Sequence, residues 1–218
     1  MNEVKKAILG IAFLVIIVAL GLAGAQQVAA ESPAEVQSAT VNWHPQSGSG
    51  AVGGASAQLV RTDRNIHASL HAEDLIPGHV YTLWFIVVNN SAACAAYPAV
   101  CTAADVLFNT AAVEADVVYG GGIISGKSGK GTLSGSLAVG ALANSWFNNG
   151  FNDARGAEIH LVVNDHGPAI PAMVSDMLHS YRGGCTDDSL PPPFPDTAKS
   201  DGTPGPNTCR LYQSAIFQ

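Results

Sequence analysis

Between Glu158 and Asn164 apolar and polar residues alternate. Ile159, Leu161 and Val163 fall on one parity, and Glu158, His160, Val162 and Asn164 on the other. Strand side chains point alternately to opposite faces, so the stretch reads as a strand with one buried face. Glu158 and His160 then share a face roughly 7 Å apart. Asp165, His166, Gly167 and Pro168 read as a break that ends the strand. Beyond it Ile170, Met173, Val174, Met177, Leu178 and Tyr181 recur at helical spacing, with Pro171 suited to a first turn. A short helix folded back over the sheet would bring Glu158, His160, His166 and His179 together, and this set is the candidate metal site. Three or four nitrogen and oxygen ligands would suit zinc or copper. The alternative is that these histidines are structural and bond to nearby backbone.

The rest of the chain gives that strand partners of its own kind. Glycine and proline are frequent, charged residues make up 12%, and long helical patterns are missing. Those features predict an all-β fold, an immunoglobulin-like, Greek-key β-sandwich with one short helical segment. Lys5 and Lys6 precede an apolar run from Ala7 to Ala25 that closes on small residues. This reads as a signal peptide over residues 1–25, cleaved after Ala25 or Ala30; an uncleaved anchor is the alternative. A flexible lead-in over 26–36 and a single domain over 37–218 complete the expected organisation. Removing Glu3, Lys5 and Lys6 from 10 basic and 17 acidic residues leaves a net charge of 8 − 16 = −8. That excludes nucleic acid as a partner, and a membrane enters only through an uncleaved leader. Four cysteines in an exported chain predict two disulfides. Of the three pairings, closeness in sequence favours Cys94–Cys101 and Cys185–Cys209.

Several segments carry further expectations. Ala39 to Trp43 reads as a first strand. Ala57–Val60 and Ile66–Leu70 read as a strand pair, with His67 and His71 on its outer face. His79 reads as an exposed turn residue. Leu75-Ile76-Pro77-Gly78 followed by Tyr81 matches a tyrosine corner, and the strand it opens is apolar on both faces to Val88. Gly121 to Ser128 matches G-x-x-x-x-G-K-[ST], yet more glycines and a strand follow, so a β-hairpin turn is expected instead of a phosphate loop. Thr186 to Thr208 reads as an irregular, proline-rich loop, and Leu211–Phe217 as the last strand. No G-x-S-x-G motif occurs, and no catalytic residue is assigned.

LIPGHVYTLWFIVVNN, the clipped Cys94–Cys101 loop and GAEIHLVVNDHGP together resemble uncharacterised exported prokaryotic β-sandwich proteins. The resemblance implies a β-sandwich and no activity. Ala157-Glu158-Ile159-His160 is more distantly similar to CHRD-type domains, with Glu158 where those carry a first histidine. The expected function is an exported, non-catalytic binding or structural module of the cell envelope, secreted or extracytoplasmic. Its partner is an unidentified protein or cell-surface component. The alternative is a mononuclear copper or zinc protein with its site around His160 and His166.

Overall fold

The computed structural model describes residues 32–218. The expected leader over 1–25, both cleavage positions and the first part of the lead-in lie outside the described residues. Nine strands lie within them: β1 (Glu35–Ala39), β2 (Asn42–Trp43), β3 (Ser56–Arg61), β4 (Asn65–Ala72), β5 (His79–Val88), β6 (Ala115–Ile124), β7 (Gly131–Ala138), β8 (Glu158–Pro168) and β9 (Arg210–Phe217). One sheet runs β1-β3-β4-β7 and the other β2-β9-β8-β5-β6, with every pairing antiparallel. β7 returns beside β4, and β8 beside β5, after intervening strands have crossed between sheets. Such non-sequential neighbours mark a Greek-key sandwich. The chain is thus an all-β sandwich, as its strand patterns predict.

Alternation explains how the sheets meet. Ile66, Ala68 and Leu70 of β4 face inward, with Leu59 and Leu133 from its neighbours. Tyr81, Leu83, Phe85 and Val87 of β5 and Ile159, Leu161 and Val163 of β8 meet them from the other sheet. His67 and His71 point outward and bond Ser136 and Thr132 across to β7. The tyrosine corner forms: the Ile76 amide donates to Tyr81 Oη at 2.9 Å.

Several expectations change. β1 begins at Glu35, pairing Glu35 with Arg61 and Val36 with Val60, so the lead-in is shorter than 26–36. The first strand is two strands, because the chain changes sheets between Ala39 and Asn42. β8 does not end at Asp165. It runs on to Pro168 past a register shift at Val163/Asn164, and Gly167 takes a positive φ of 78°. His79 is half-buried, held by Asp165 Oδ1 at 2.9 Å.

The glycine-rich segment forms no hairpin, because β6 and β7 belong to different sheets. Its glycines permit close approach of backbone. A Cβ at Gly122 would lie 2.4 Å from the Leu178 carbonyl oxygen, where the chain crosses the sheet. Among the described residues four short α-helices decorate the loops: α1 (Ala103–Phe108), α2 (Thr110–Val113), α3 (Val174–His179) and α4 (Asp196–Ser200). α3 is the core of the helical stripe. α1 starts on a capping box between Thr102 and Asp105.

Both disulfides form, Cys94–Cys101 and Cys185–Cys209, each with Cα atoms 5.4 Å apart. Such bonds persist in an oxidising, extracytoplasmic compartment. Among the described residues no helix is long and apolar enough to cross a membrane.

Candidate functional site

β5 is apolar on both faces, and β8 is buried on both, because both faces are covered. The inner face packs in the sandwich. On the outer face Trp84, Val88, Ala115 and Val117 lie under the two disulfide-closed loops, with Val106, Trp146, Tyr181 and Leu190 above them. This second core is a nest of aromatic rings. Trp84 meets Tyr181 edge-on at 5.0 Å between centroids, and Trp146 meets Tyr181 at 4.7 Å. Offset and edge-to-face pairs of this kind add to the burial of apolar area.

The same outer face carries the polar side chains of β8. Glu158, His160, Asn164 and His166 are all buried, so the face expected to meet solvent is roofed instead. They form two networks. In the first, His160 Nε2 donates to Glu158 Oε1 at 2.6 Å. The Cys101 amide donates to the same oxygen at 2.7 Å, and Gln218 Nε2 reaches Oε2 at 3.3 Å. Burial raises the pKa of the Glu158 carboxyl, but these donors outweigh it and hold the group below its ordinary value. The carboxylate therefore ties strand β8, the small disulfide loop and the chain end together.

In the second network His166 Nδ1 lies 2.9 Å from the Gly183 carbonyl. A carbonyl only accepts, so Nδ1 carries the proton and Nε2 accepts from Thr82 Oγ1 at 2.8 Å. The Trp84 indole N–H donates to that hydroxyl at 2.9 Å. Both ring nitrogens are engaged. Burial lowers the pKa of His166, which is fully enclosed and sits in the fold as a neutral ring.

The structure does not bring Glu158, His160, His166 and His179 together. Glu158 and His160 pair, and His166 serves Thr82 and Gly183. His179 is exposed on α3 and bonds the Ser175 carbonyl of its own turn. The helix turns His179 outward because Met177 and Tyr181 take the buried side. Among the described residues one group of three metal-ligand types gathers within 4.8 Å: His166, Cys185 and Cys209. Its two sulfurs are joined in the disulfide, so no thiolate is present there.

Between the two disulfide loops the outer face is left partly open. A cleft of about 420 Å³ lies there. Its floor is Trp84, Ile86, Val117, His160, Val162 and Ile216 of the sheet. Cys101, Val106, Leu107, Trp146, Tyr181 and Phe194 are also part of the lining. His44, half-buried, stands at the edge. The volume falls in the range of roughly 300–1,000 Å³ usual for small-molecule sites, and so does an apolar lining with few polar groups.

The histidine pattern pointed to His160 but not to His44, Trp146 or Phe194, which come from separate loops. The one signal for a covered second face was the unbroken apolar run of β5. Comparison with known proteins returned no matching family model, no matching curated protein and no matching solved structure.

Proposed function

We propose that this protein is an exported, non-catalytic binding module of the cell envelope whose ligand is a small apolar molecule. The cleft over β5 and β8 carries the reading: it has the volume and the apolar, aromatic lining of a ligand site. One residue from each disulfide-closed segment, Cys101 and Phe194, lines it, which suits a site kept rigid outside the reducing cytoplasm. Ser214 is the one aliphatic hydroxyl in the cleft lining, and among the described residues no hydrogen bond joins it to His44 or His160, so binding fits the cleft better than catalysis. The test is uptake of Nile red, a neutral apolar dye, by the oxidised protein. Saturable binding in the wild type, lost in a folded Val162→Phe variant that fills the floor, supports the reading. Binding unchanged by Val162→Phe sinks it.

A mononuclear zinc or copper site at His160 is the second reading. Glu158 holds Nε2 as a carboxylate holds a metal-bound imidazole, leaving Nδ1 for an ion, and His44 supplies another imidazole to the same cleft. Zinc should then raise the wild-type melting temperature and leave His160→Ala unmoved. An equal response from both variants removes this reading.

A further inference from the structure

Three metal-ligand side chains meet where the proline-rich loop closes on β8. His166, Cys185 and Cys209 each place a ligand atom within 4.8 Å of the other two. His166 and Cys185 are fully enclosed, and Cys209 is 7% exposed. In the oxidised protein the two sulfurs are bonded to each other. Reduction turns them into two thiols beside a buried imidazole.

The spacing is that of a zinc site. His166 Nδ1 lies 3.5 Å from Cys185 Sγ. Tetrahedral zinc, with bonds of about 2.3 Å to sulfur and 2.0 Å to nitrogen, sets two such ligands about 3.5 Å apart. The second sulfur has to part from the first to about 3.8 Å, a side-chain rotation at cysteines whose Cα atoms are 5.4 Å apart. Their backbone is held without the disulfide. The Cys185 carbonyl accepts from the Gly205 amide at 2.9 Å, and the Thr186 amide donates to the Asn207 carbonyl at 2.8 Å. The Cys209 amide donates to Ser189 Oγ at 2.9 Å, and Asn207 Nδ2 donates to the His166 carbonyl at 2.8 Å. These bonds position all three residues in either state of the sulfurs.

Charge agrees with the spacing. Two thiolates and a neutral imidazole around a divalent ion sum to zero, which suits an enclosed site. Two cysteines and one histidine form a zinc set whose fourth position is left to water. Cys209 also lines a crevice with Asn164, Ser189 and Arg210, a route in from the surface.

We infer that reduction of Cys185–Cys209 creates a zinc site whose ligands are Cys185 Sγ, Cys209 Sγ and His166 Nδ1. The reductant is a dithiol, which gives the protein two electrons and two protons and becomes a disulfide; a phosphine does the same by taking an oxygen from water. Zinc then displaces both thiol protons. The imidazole proton moves from Nδ1 to Nε2, where it is donated to Thr82 Oγ1, and the Gly183 carbonyl gives up its donor. Oxidation of the thiolates expels the ion. This site is separate from the cleft and stands or falls without it.

Metal analysis after dialysis of the oxidised and the phosphine-reduced protein against zinc tests it. The reduced protein should hold one zinc per chain and the oxidised protein none. Cobalt(II) in place of zinc should show thiolate-to-metal charge-transfer absorption. Zinc should shield two thiols from alkylation, and peptide mapping should place them at Cys185 and Cys209. Cys94→Ser combined with Cys101→Ser should leave binding unchanged. His166→Gln should weaken zinc about tenfold or more, as loss of a group behind a ligand already does. Should either variant fail to fold, the alkylation map decides. Zinc held equally by both redox forms, protection at Cys94 and Cys101, or unchanged affinity in folded His166→Gln would overturn the site. So would a reduced chain that takes up no zinc, whether it stays folded or unfolds and is not restored by the ion.

Discussion

Acidification should destabilise this fold through one buried imidazole. His166 is fully enclosed, donates from Nδ1 to Gly183 and accepts at Nε2 from Thr82. Protonation puts a second proton on Nε2, which then no longer accepts from Thr82 and forces the hydroxyl to turn and accept instead. It also places a charge in the second core. Burial accordingly lowers the folded pKa below the ordinary imidazole value of about 6.5, although the Gly183 carbonyl, Asp165 and Asp176 oppose the shift. The unfolded chain therefore binds more protons in the window below 6.5. The stability that His166 contributes is complete above that value and is lost as pH falls toward the folded pKa. One proton gives a slope of at most about 1.4 kcal/mol per pH unit.

Urea unfolding between about pH 7.5 and 5 measures that slope while most carboxylates remain ionised. His44 is also lowered by burial and adds a loss of the same sign. The diagnostic quantity is therefore the difference between the wild type and His166→Gln. The variant should be less stable at neutral pH and flatter below 6.5. His166→Ala should cost about 3–5 kcal/mol at neutral pH, since it leaves the Thr82 hydroxyl proton without its acceptor and the Gly183 carbonyl without its donor and opens a cavity. Identical slopes for the wild type and His166→Gln would refute the assignment of a neutral buried ring.

Three further outcomes are expected. Reduction should lower stability, by roughly 3 kcal/mol for Cys185–Cys209, which spans 24 residues; equal melting temperatures after confirmed reduction would contradict this. Gly122→Ala should cost about 1–3 kcal/mol, because its Cβ would meet the Leu178 carbonyl at 2.4 Å, whereas Lys127→Ala, exposed in the turn after β6, should change neither stability nor any response to ATP. Thermal melts of both variants decide it. Tyr81→Phe removes the acceptor of the Ile76 amide and should cost about 1 kcal/mol, read by urea unfolding.

The strands and their inward faces were legible because burial on one face imposes a period of two that no context can hide. Ile66, Ala68 and Leu70, or Ile159, Leu161 and Val163, declare their sheet by themselves. The tyrosine corner was legible for a similar reason: Ile76 and Tyr81 lie five residues apart, and local geometry joins them. Neighbours in sequence also favoured both disulfide pairings, whose loops are short enough for proximity to guide the choice.

What the tertiary structure alone decided is everything that depends on a roof. Glu158, His160, Asn164 and His166 alternate as solvent-facing residues do, yet two disulfide loops from distant parts of the chain cover them. Whether β6 and β7 pair or part was likewise undecided by their residues, since a glycine-rich turn serves a hairpin or a crossing between sheets equally well. The cleft draws Trp84, Trp146, His160 and Phe194 from four separate segments. Periodicity describes which face of one element is buried. It carries no information on which loop will fold over that face, because the contact is made between residues whose separation in the chain has no fixed period.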